Sequence, residues 1–339
     1  MSALTSPTSA QGLPGEIGTR RIGIGRAHGK IILIGEHAVV YGAEALAVPL
    51  PQLPVTATVA RLPGPDNRTG EVSFSVTSSV SGTVALQATD GLQRLVKEIK
   101  ERAEVTDEAH IDVLVDCAIP LGRGLGSSAA CARSIVLGLA DLFDHELDES
   151  AIFELVQIAE NIAHGRASGV DALATGAPAP IRFRGGTARE LRVGFDGFLV
   201  IADSGAAGET KAAVELLLSA FVHDPGAQED FVRRATELTG SAVSDLAHGR
   251  AEDFGSSLTS YHALLGSAGL STERIDSLVD AALAAGSLGA KISGGGLGGC
   301  MIALAGGPAQ ARRIETRLQD AGATRTWIAP LGRSTDHAH

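Results

Sequence analysis

A glycine-rich turn at positions 120–130 limits the possible folds of this chain more than any other segment. It reads Pro-Leu-Gly-Arg-Gly-Leu-Gly-Ser-Ser-Ala-Ala. The alternation of apolar residues over 111–119 predicts a half-buried strand before it, and the Ala- and Leu-rich run 129–143 predicts a helix after it. Free N–H groups and the positive end of the helix dipole meet in such a turn, and glycine lets a ligand approach the backbone closely. The pattern therefore predicts a phosphate-binding loop.

Two common phosphate-binding loops differ from this one. A P-loop NTPase carries a lysine after its last glycine, where this chain has Ser127. A dinucleotide-binding fingerprint carries its third glycine at that same position. A simpler alternative is a tight turn in which Ser127 or Ser128 only caps the helix. If phosphates do bind, the hydroxyls beside them suit a magnesium ion that bridges nucleotide oxygens.

Composition excludes several classes of protein. A chain of 339 residues is long enough for one large or two ordinary domains, and its net charge of −11 argues against a nucleic-acid binder. The three cysteines lack metal-ligand spacing, which predicts free thiols in a reducing cytosol. No run reaches the roughly 18 apolar residues of a membrane span, and residues 1–20 have no signal-peptide pattern. We therefore expect a cytoplasmic protein without a membrane partner, with a disordered tail at 1–20 and a frayed one at 334–339.

The order of predicted elements favours an α+β fold. Mixed strands come first, a run of helices follows, and strands return near the end, which differs from the regular alternation of a doubly wound sheet. The helices are predicted at 209–221, 227–247, 251–266 and 271–285, and Ser150 is the predicted cap of an earlier helix. The Pro-, Gly- and Ala-rich stretch 176–186 predicts a boundary between domains at 21–185 and 186–333.

Lys30, Glu36 and His37 surround an apolar run near the start of the chain. Charges that flank a strand are usually solvated ends. The glycines at 29, 35 and 42 argue against that interpretation, because they weaken a strand unless something approaches it closely. A lysine beside a reacting hydroxyl would stabilise developing negative charge.

Two further clusters carry groups with possible chemical roles. Glu160 and Asp171 flank a loop broken by glycines; the pattern of Ser168 followed by Asp171 also matches an acidic capping box, in which Asp171 would only start a helix. In the functional interpretation, Glu160 binds a metal and Asp171 accepts a proton from a substrate hydroxyl. Near the end of the chain, the glycine cluster 294–299 follows Lys291. This cluster is either a loose hairpin or a loop that packs against another loop or a phosphate.

The order of these three clusters resembles the GHMP kinase superfamily, which includes galactokinases, homoserine kinases, mevalonate kinases and phosphomevalonate kinases. Residues 124–130 are similar to the ATP loop of the superfamily, and 291–300 to its third motif. Within the superfamily, Gly-Glu-His-Ala-Val-Val-Tyr-Gly at 35–42 and Ser-Gly-Val-Asp at 168–171 resemble the mevalonate kinase family, whereas galactokinases continue with Thr-Asp-Tyr after Gly-Glu-His. The resemblance extends from about residue 21 to 331.

The resemblance implies a two-domain GHMP kinase fold, with an N-terminal domain like the second domain of ribosomal protein S5 and a ferredoxin-like C-terminal domain. It implies ATP- and Mg²⁺-dependent phosphorylation of the C5 hydroxyl of (R)-mevalonate by a homodimer or a monomer. Asp171 would be the catalytic acid/base and Lys30 its cationic partner, while Ser128 and Glu160 would bind magnesium. Glu36, His37 and Thr210 would contact the substrate, and Gly294, Gly295 and Gly296 would form a structural loop. The residues implied in ATP binding are Pro120, Gly122, Gly124, Leu125, Gly126, Ser127, Ser128 and Ala129.

Three positions depart from the family pattern. His28 and Ala167 stand where proline is usual, and Ala172 stands where asparagine is common. Proline fixes the backbone φ angle, so its loss is expected to relax the loops at 28 and 167. None of the three changes removes a reacting group.

Overall fold

The computed structural model describes residues 22–62, 72–78, 82–86, 90–106, 109–165 and 167–332. They form two sheets, each covered by helices. The tails predicted at 1–20 and 334–339 lie outside these ranges. Within them, no helix is long and apolar enough to cross a lipid bilayer.

The first sheet contains seven strands and is built around the long strand β2. The sheet order is β4-β3-β5-β2-β6-β7, and β1 pairs with β2 as well. The β3–β5 pair is parallel and the others are antiparallel. Its strands are β1 Ile22–Ile34, β2 Ala45–Leu62, β3 Val72–Ser78, β4 Gly82–Leu86, β5 His110–Cys117, β6 Ile181–Arg184 and β7 Thr187–Glu190.

Helix α2 packs directly on β1, and glycine makes this contact possible. A β-carbon added at Gly25 of β1 would lie only 1.9 Å from the carbonyl oxygen of Ser134 on α2. The close approach brings the start of α2, and the glycine-rich turn before it, next to the second half of β1. The helices of this half are α1 Asp90–Arg102, α2 Ser127–Leu142, α3 Glu149–His164 and α4 Val170–Ala174.

The second sheet has four antiparallel strands in the order β11-β8-β10-β9. This is the strand order of a ferredoxin-like β-α-β-β-α-β unit, here with four helices between the first two strands. Its elements are β8 Gly197–Asp203, α5 Thr210–His223, α6 Pro225–His248, α7 Ala251–Ser267, α8 Glu273–Ala284, β9 Gly289–Ser293, β10 Cys300–Ala305, α9 Pro308–Asp320 and β11 Arg325–Leu331.

The α+β architecture predicted from the sequence is confirmed, and the four helices predicted between 209 and 285 begin and end within two residues of their predicted bounds. The predicted cap of α3 is wrong. Asp148, not Ser150, is the N-cap, and its Oδ1 accepts a hydrogen bond of 2.8 Å from the Ala151 amide. The hairpin of β6 and β7 spans the position predicted to divide the domains, so the first sheet continues to Glu190. The domain bounds otherwise stay a prediction.

Candidate active site

A cavity of about 830 Å³ lies between the two halves, and all three sequence clusters contribute to its wall. Most of the predicted site residues line it: Lys30, Glu36, His37, Gly122, Gly124, Gly126, Ser127, Ser128, Glu160, Asp171, Thr210, Gly294 and Gly295. Pro120, Leu125, Ala129 and Gly296 do not line it and are buried instead. Leu125 and Ala129 pack in the hydrophobic core, so their side chains support the loop from behind.

The glycine-rich turn leaves the start of α2 without a side-chain cap. Gly126 is the N-cap, at φ 77°, and no side chain caps this end. The interpretation of Ser127 or Ser128 as a cap is therefore wrong. The Ser128 hydroxyl instead donates a hydrogen bond of 2.6 Å to Glu160 Oε1 on α3. The first amides of α2 consequently remain available to an anion at the positive end of the helix dipole.

Close packing explains two glycines of this turn, Gly124 against the backbone of another loop and Gly126 against the Lys30 side chain. A β-carbon at Gly124 would lie 2.9 Å from the Ser293 carbonyl oxygen, and one at Gly294 would lie 2.8 Å from the Gly124 α-carbon. A β-carbon at Gly126 would lie 2.7 Å from Lys30 Cγ. The glycine cluster after Lys291 is therefore a loop that packs against the glycine-rich turn. The sequence had left open whether this cluster is a loose hairpin or a packed loop, and the structure shows a packed loop.

Lys30 and Asp171 form an ion pair on the cavity wall. Lys30 Nζ lies 2.9 Å from Asp171 Oδ2 and donates a hydrogen bond of 3.1 Å to the Gly124 carbonyl. The lysine side chain is 2% exposed, whereas that of the aspartate is 33% exposed. Asp171 lies in the first turn of α4, but the N-cap of that helix is Gly169 and no capping box forms. The acidic capping-box interpretation is therefore wrong.

Glu36 and His37 also line the cavity, and both are largely enclosed. Glu36 is 3% exposed and forms an ion pair with the fully buried Lys291 of β9. Burial raises the pKa of the Glu36 carboxyl and lowers that of the Lys291 ammonium, while their mutual attraction opposes both shifts. Burial also lowers the pKa of His37 to about 4, so its ring is neutral at pH 7. His37 Nε2 is buried and has no hydrogen-bond partner among the described residues.

Ser128 and Glu160 are the residues that could hold a metal ion. The described residues contain no group of three or more His, Cys, Asp or Glu side chains that could bind one. Mg²⁺ at nucleotide sites usually takes one or two protein oxygens and obtains its other ligands from phosphates and water. A hydroxyl and a carboxylate in contact beside the uncapped start of α2 fit that requirement.

Comparisons with known proteins identify the family of this chain. The family GHMP kinases N terminal domain matches residues 91–177, and the family GHMP kinases C terminal matches 242–324. A mevalonate kinase of Pyrococcus furiosus is 30% identical over 323 residues, which cover 89% of this chain and 94% of that relative. The chain belongs to the mevalonate kinase family of GHMP kinases.

Solved structures share the fold of this kinase. The mevalonate kinase of L. major, determined in complex with R-mevalonate, has a TM-score of 0.77 at 22% identity and covers 96% of this chain and 99% of its own. The mevalonate kinase of Staphylococcus aureus MRSA252 has a TM-score of 0.69 at 29% identity and covers 93% of this chain and 100% of its own. The predicted two-domain GHMP kinase organisation is confirmed.

Two of the three departures from the family pattern, His28 and Ala167, form local backbone hydrogen bonds. The His28 amide donates a hydrogen bond of 3.1 Å to the Thr175 carbonyl at the end of α4. Side chains of α3 fix the backbone of Ala167: its amide donates to Asn161 Oδ1 at 3.0 Å, and its carbonyl accepts from Gln157 Nε2 at 2.7 Å. The expected relaxation of this loop is thus opposed by two hydrogen bonds.

Sequence reasoning missed three residues that shape the site of this kinase. Lys291 holds Glu36, and the Tyr261 hydroxyl donates a hydrogen bond of 2.8 Å to the Glu36 carbonyl. Arg123 joins the first loop to β8, with its Nε 3.2 Å from Asp203 Oδ2. A lysine within an otherwise apolar strand was a usable signal for Lys291. The contacts of Tyr261 and Arg123 have no local signal in the sequence.

Proposed function

We propose that this kinase transfers the γ-phosphoryl group of ATP to the C5 hydroxyl of (R)-mevalonate and forms 5-phosphomevalonate. The observation that carries the proposal is the Lys30–Asp171 ion pair, which lies in one cavity with the glycine-rich loop and with Glu36 and His37. The names of the relatives support mevalonate as the acceptor.

The loop at the start of α2 would bind the ATP phosphates. Its uncapped amides and positive φ angles at Gly122, Gly124 and Gly126 suit a bound polyphosphate. Ser128 and Glu160 would hold Mg²⁺, which when bound neutralises negative charge on the phosphate oxygens. Arg123 ties the loop to β8 and would keep this phosphate site in place.

Asp171 would accept the proton of the C5 hydroxyl as the phosphoryl group is transferred. Its carboxylate is the exposed member of the ion pair and can reach a substrate in the cavity. Lys30 is held by Asp171 and by the Gly124 carbonyl, so its charge lies between the proton acceptor and the phosphate loop. In that position it would stabilise the charge that develops on the attacking oxygen.

Glu36, His37 and Thr210 would bind the remainder of mevalonate. Among the described residues, Nε2 of the neutral His37 ring and Oε2 of Glu36 have no hydrogen-bond partner. Thr210 begins α5 and lies against Gly295, where a β-carbon would approach its hydroxyl oxygen within 2.1 Å.

We further expect the kinase to act in the cytoplasm as a monomer or a homodimer. Size-exclusion chromatography with light scattering measures the oligomeric state.

The test is an assay of ADP release with Mg²⁺-ATP and four acceptors: mevalonate, phosphomevalonate, galactose and homoserine. Mevalonate should support turnover at least about 100-fold above the other three, because a site built to bind specific substrate hydroxyls rejects analogues that leave buried polar groups unpaired. Preference for one of the other acceptors would overturn the proposed substrate and retain the kinase activity.

A further inference from the structure

The Glu36–Lys291 ion pair connects the two halves of the molecule at the cavity. Glu36 follows β1 of the first sheet, and Lys291 lies 255 residues later in β9 of the second. Glu36 lines the cavity, but Lys291 does not. The ammonium group also donates to the Ile292 carbonyl and lies 5.8 Å from the centre of the Tyr261 ring. Lys291 therefore contacts the carboxylate from behind, on the side away from the cavity.

The backbone of Glu36 is held independently of that ion pair. The Tyr261 hydroxyl donates to the Glu36 carbonyl at 2.8 Å, and the Ser293 hydroxyl donates to the Ile32 carbonyl at 3.0 Å. Gly35 has φ 105°, and a β-carbon there would lie 2.3 Å from the Glu44 carbonyl oxygen. With the backbone fixed, Lys291 sets the orientation of the carboxylate.

One carboxylate oxygen of Glu36 is left for a ligand. Oε1 contacts Lys291, while Oε2 is buried and has no hydrogen-bond partner among the described residues. A buried charged acceptor without a partner is costly, and a bound hydroxyl would remove that cost. The acceptor substrate brings hydroxyl groups into this cavity.

We infer that Lys291 is a positioning residue for the acceptor substrate, because it orients the Glu36 carboxylate across the domain interface so that Oε2 accepts a hydrogen bond from a substrate hydroxyl. This inference rests on the proposed function for the identity of that substrate. Lys291 itself does not touch the substrate and acts only through Glu36.

If the Glu36–Lys291 ion pair were purely structural, its removal would affect folding stability but not the pH dependence of substrate binding. Buried ion pairs contribute little net stability compared with apolar residues, so stability alone is a weak reason for one at a cavity wall. The charged and titratable groups around Glu36 and Lys291 are Lys30 on β1, Tyr261 and His262 on α7, the adjacent His37, and Asp276 on α8.

The test compares Lys291→Met with Lys97→Met, which removes a lysine from the exposed Lys97–Glu101 pair on α1. The KM values for mevalonate and ATP and the kcat are measured from pH 6 to 9. In Lys291→Met the KM for mevalonate should rise about 10- to 100-fold at pH 7, the range for a hydrogen bond to a charged group, while the KM for ATP stays within about twofold. Lys97→Met should match the wild type.

The pH dependence of the KM for mevalonate distinguishes a positioning role of Lys291 from a purely structural one. Without the ammonium, the pKa of the Glu36 carboxyl rises further, and a protonated carboxyl is the weaker acceptor. The KM for mevalonate in Lys291→Met should therefore fall as pH rises, with its midpoint at a higher pH than in the wild type. Lys291→Met/Glu36→Gln leaves no unpaired charge, so it folds even if the single variant does not. Its KM for mevalonate should be high and independent of pH.

An unchanged KM for mevalonate in Lys291→Met, an equal rise in both KM values, or a double variant with a wild-type KM would each overturn the inference. These results differ from a failure of the proposed function, in which the wild type itself does not phosphorylate mevalonate.

Discussion

Two lysine–carboxylate pairs adjoin the same cavity, and they differ in solvation. Both members of Lys30–Asp171 belong to the half of the molecule that is built on the first sheet, and the aspartate is one-third exposed. Lys291–Glu36 joins the two halves, and both of its side chains are almost completely buried. The accessible carboxylate can meet a reactant and exchange a proton with it. The enclosed one can present only a fixed oxygen. We therefore propose that the same residue types serve chemistry in the first pair and positioning in the second.

The largest expected effect comes from removing the proton acceptor of the accessible pair. Asp171→Asn keeps the shape of the side chain but cannot accept a proton, so kcat should fall about 10²- to 10⁴-fold. The affinity for ATP should change little, and the melting temperature should fall only modestly, because the asparagine amide oxygen and the Gly124 carbonyl both remain as acceptors for the Lys30 ammonium. Steady-state kinetics and thermal denaturation measure the two effects. Full activity in this variant would end the catalytic assignment and remove the contrast between the pairs.

The buried pair should contribute more to the free energy of unfolding than the accessible pair. Lys291→Met leaves Glu36 as an uncompensated buried charge and should lower the free energy of unfolding by about 3–5 kcal/mol. Lys30→Met leaves Asp171 without its partner, but water can reach this carboxylate. The loss in the free energy of unfolding should therefore be smaller. Urea denaturation at pH 7 compares the two matched variants. Equal losses would show that burial does not distinguish the pairs.

A smaller effect is expected on the nucleotide side of the cavity. Ser128→Ala removes the hydroxyl that contacts Glu160 and should weaken the use of Mg²⁺-ATP by about 1–3 kcal/mol, without raising the KM for mevalonate. Titration of the rate with Mg²⁺ measures the change. Ser134→Ala is the control on the same helix, because that hydroxyl bonds the Cys131 carbonyl in the protein interior. A Mg²⁺ dependence identical to that of the wild type would contradict the assignment of Ser128.

The smallest effect concerns acid stability. The folded-state pKa of His37, about 4, lies below its ordinary value of 6.5, so the unfolded chain binds the proton more readily. The neutral ring therefore favours the folded state fully above pH 6.5, and this contribution is lost as pH falls towards 4. The melting temperature of the wild type should drop more between pH 7 and pH 5 than that of His37→Gln. Parallel curves would show that the ring is accessible to protons in the folded protein.

Local patterns in the sequence predicted much of the fold, because they depend on neighbouring residues. The alternation before residue 120 and the apolar spacing of the four consecutive helices each follow from one short window. Asp148 took the capping position predicted for Ser150, since several cap-forming residues lie together there and local pattern does not choose between them. The Lys291–Glu36 pair was not predicted, because its members lie 255 residues apart and only the packing of two domains brings them together. Residue chemistry offered the roles of Ser128, Glu160 and Asp171 as one interpretation beside helix capping, and the family resemblance favoured them. Their assignment stays a prediction.

The contact between Gly124 and Gly294 has a consequence for how this protein is made. The glycine-rich turn leaves the ribosome some 170 residues before the glycine that packs against it. At usual rates of synthesis the loop waits roughly 10 to 30 s for that partner. During this interval the nascent first domain lacks one wall of the cavity, which arrives with the loop after β9. If the cavity binds ATP as proposed, we expect ATP to stabilise the finished chain more than the emerging first half.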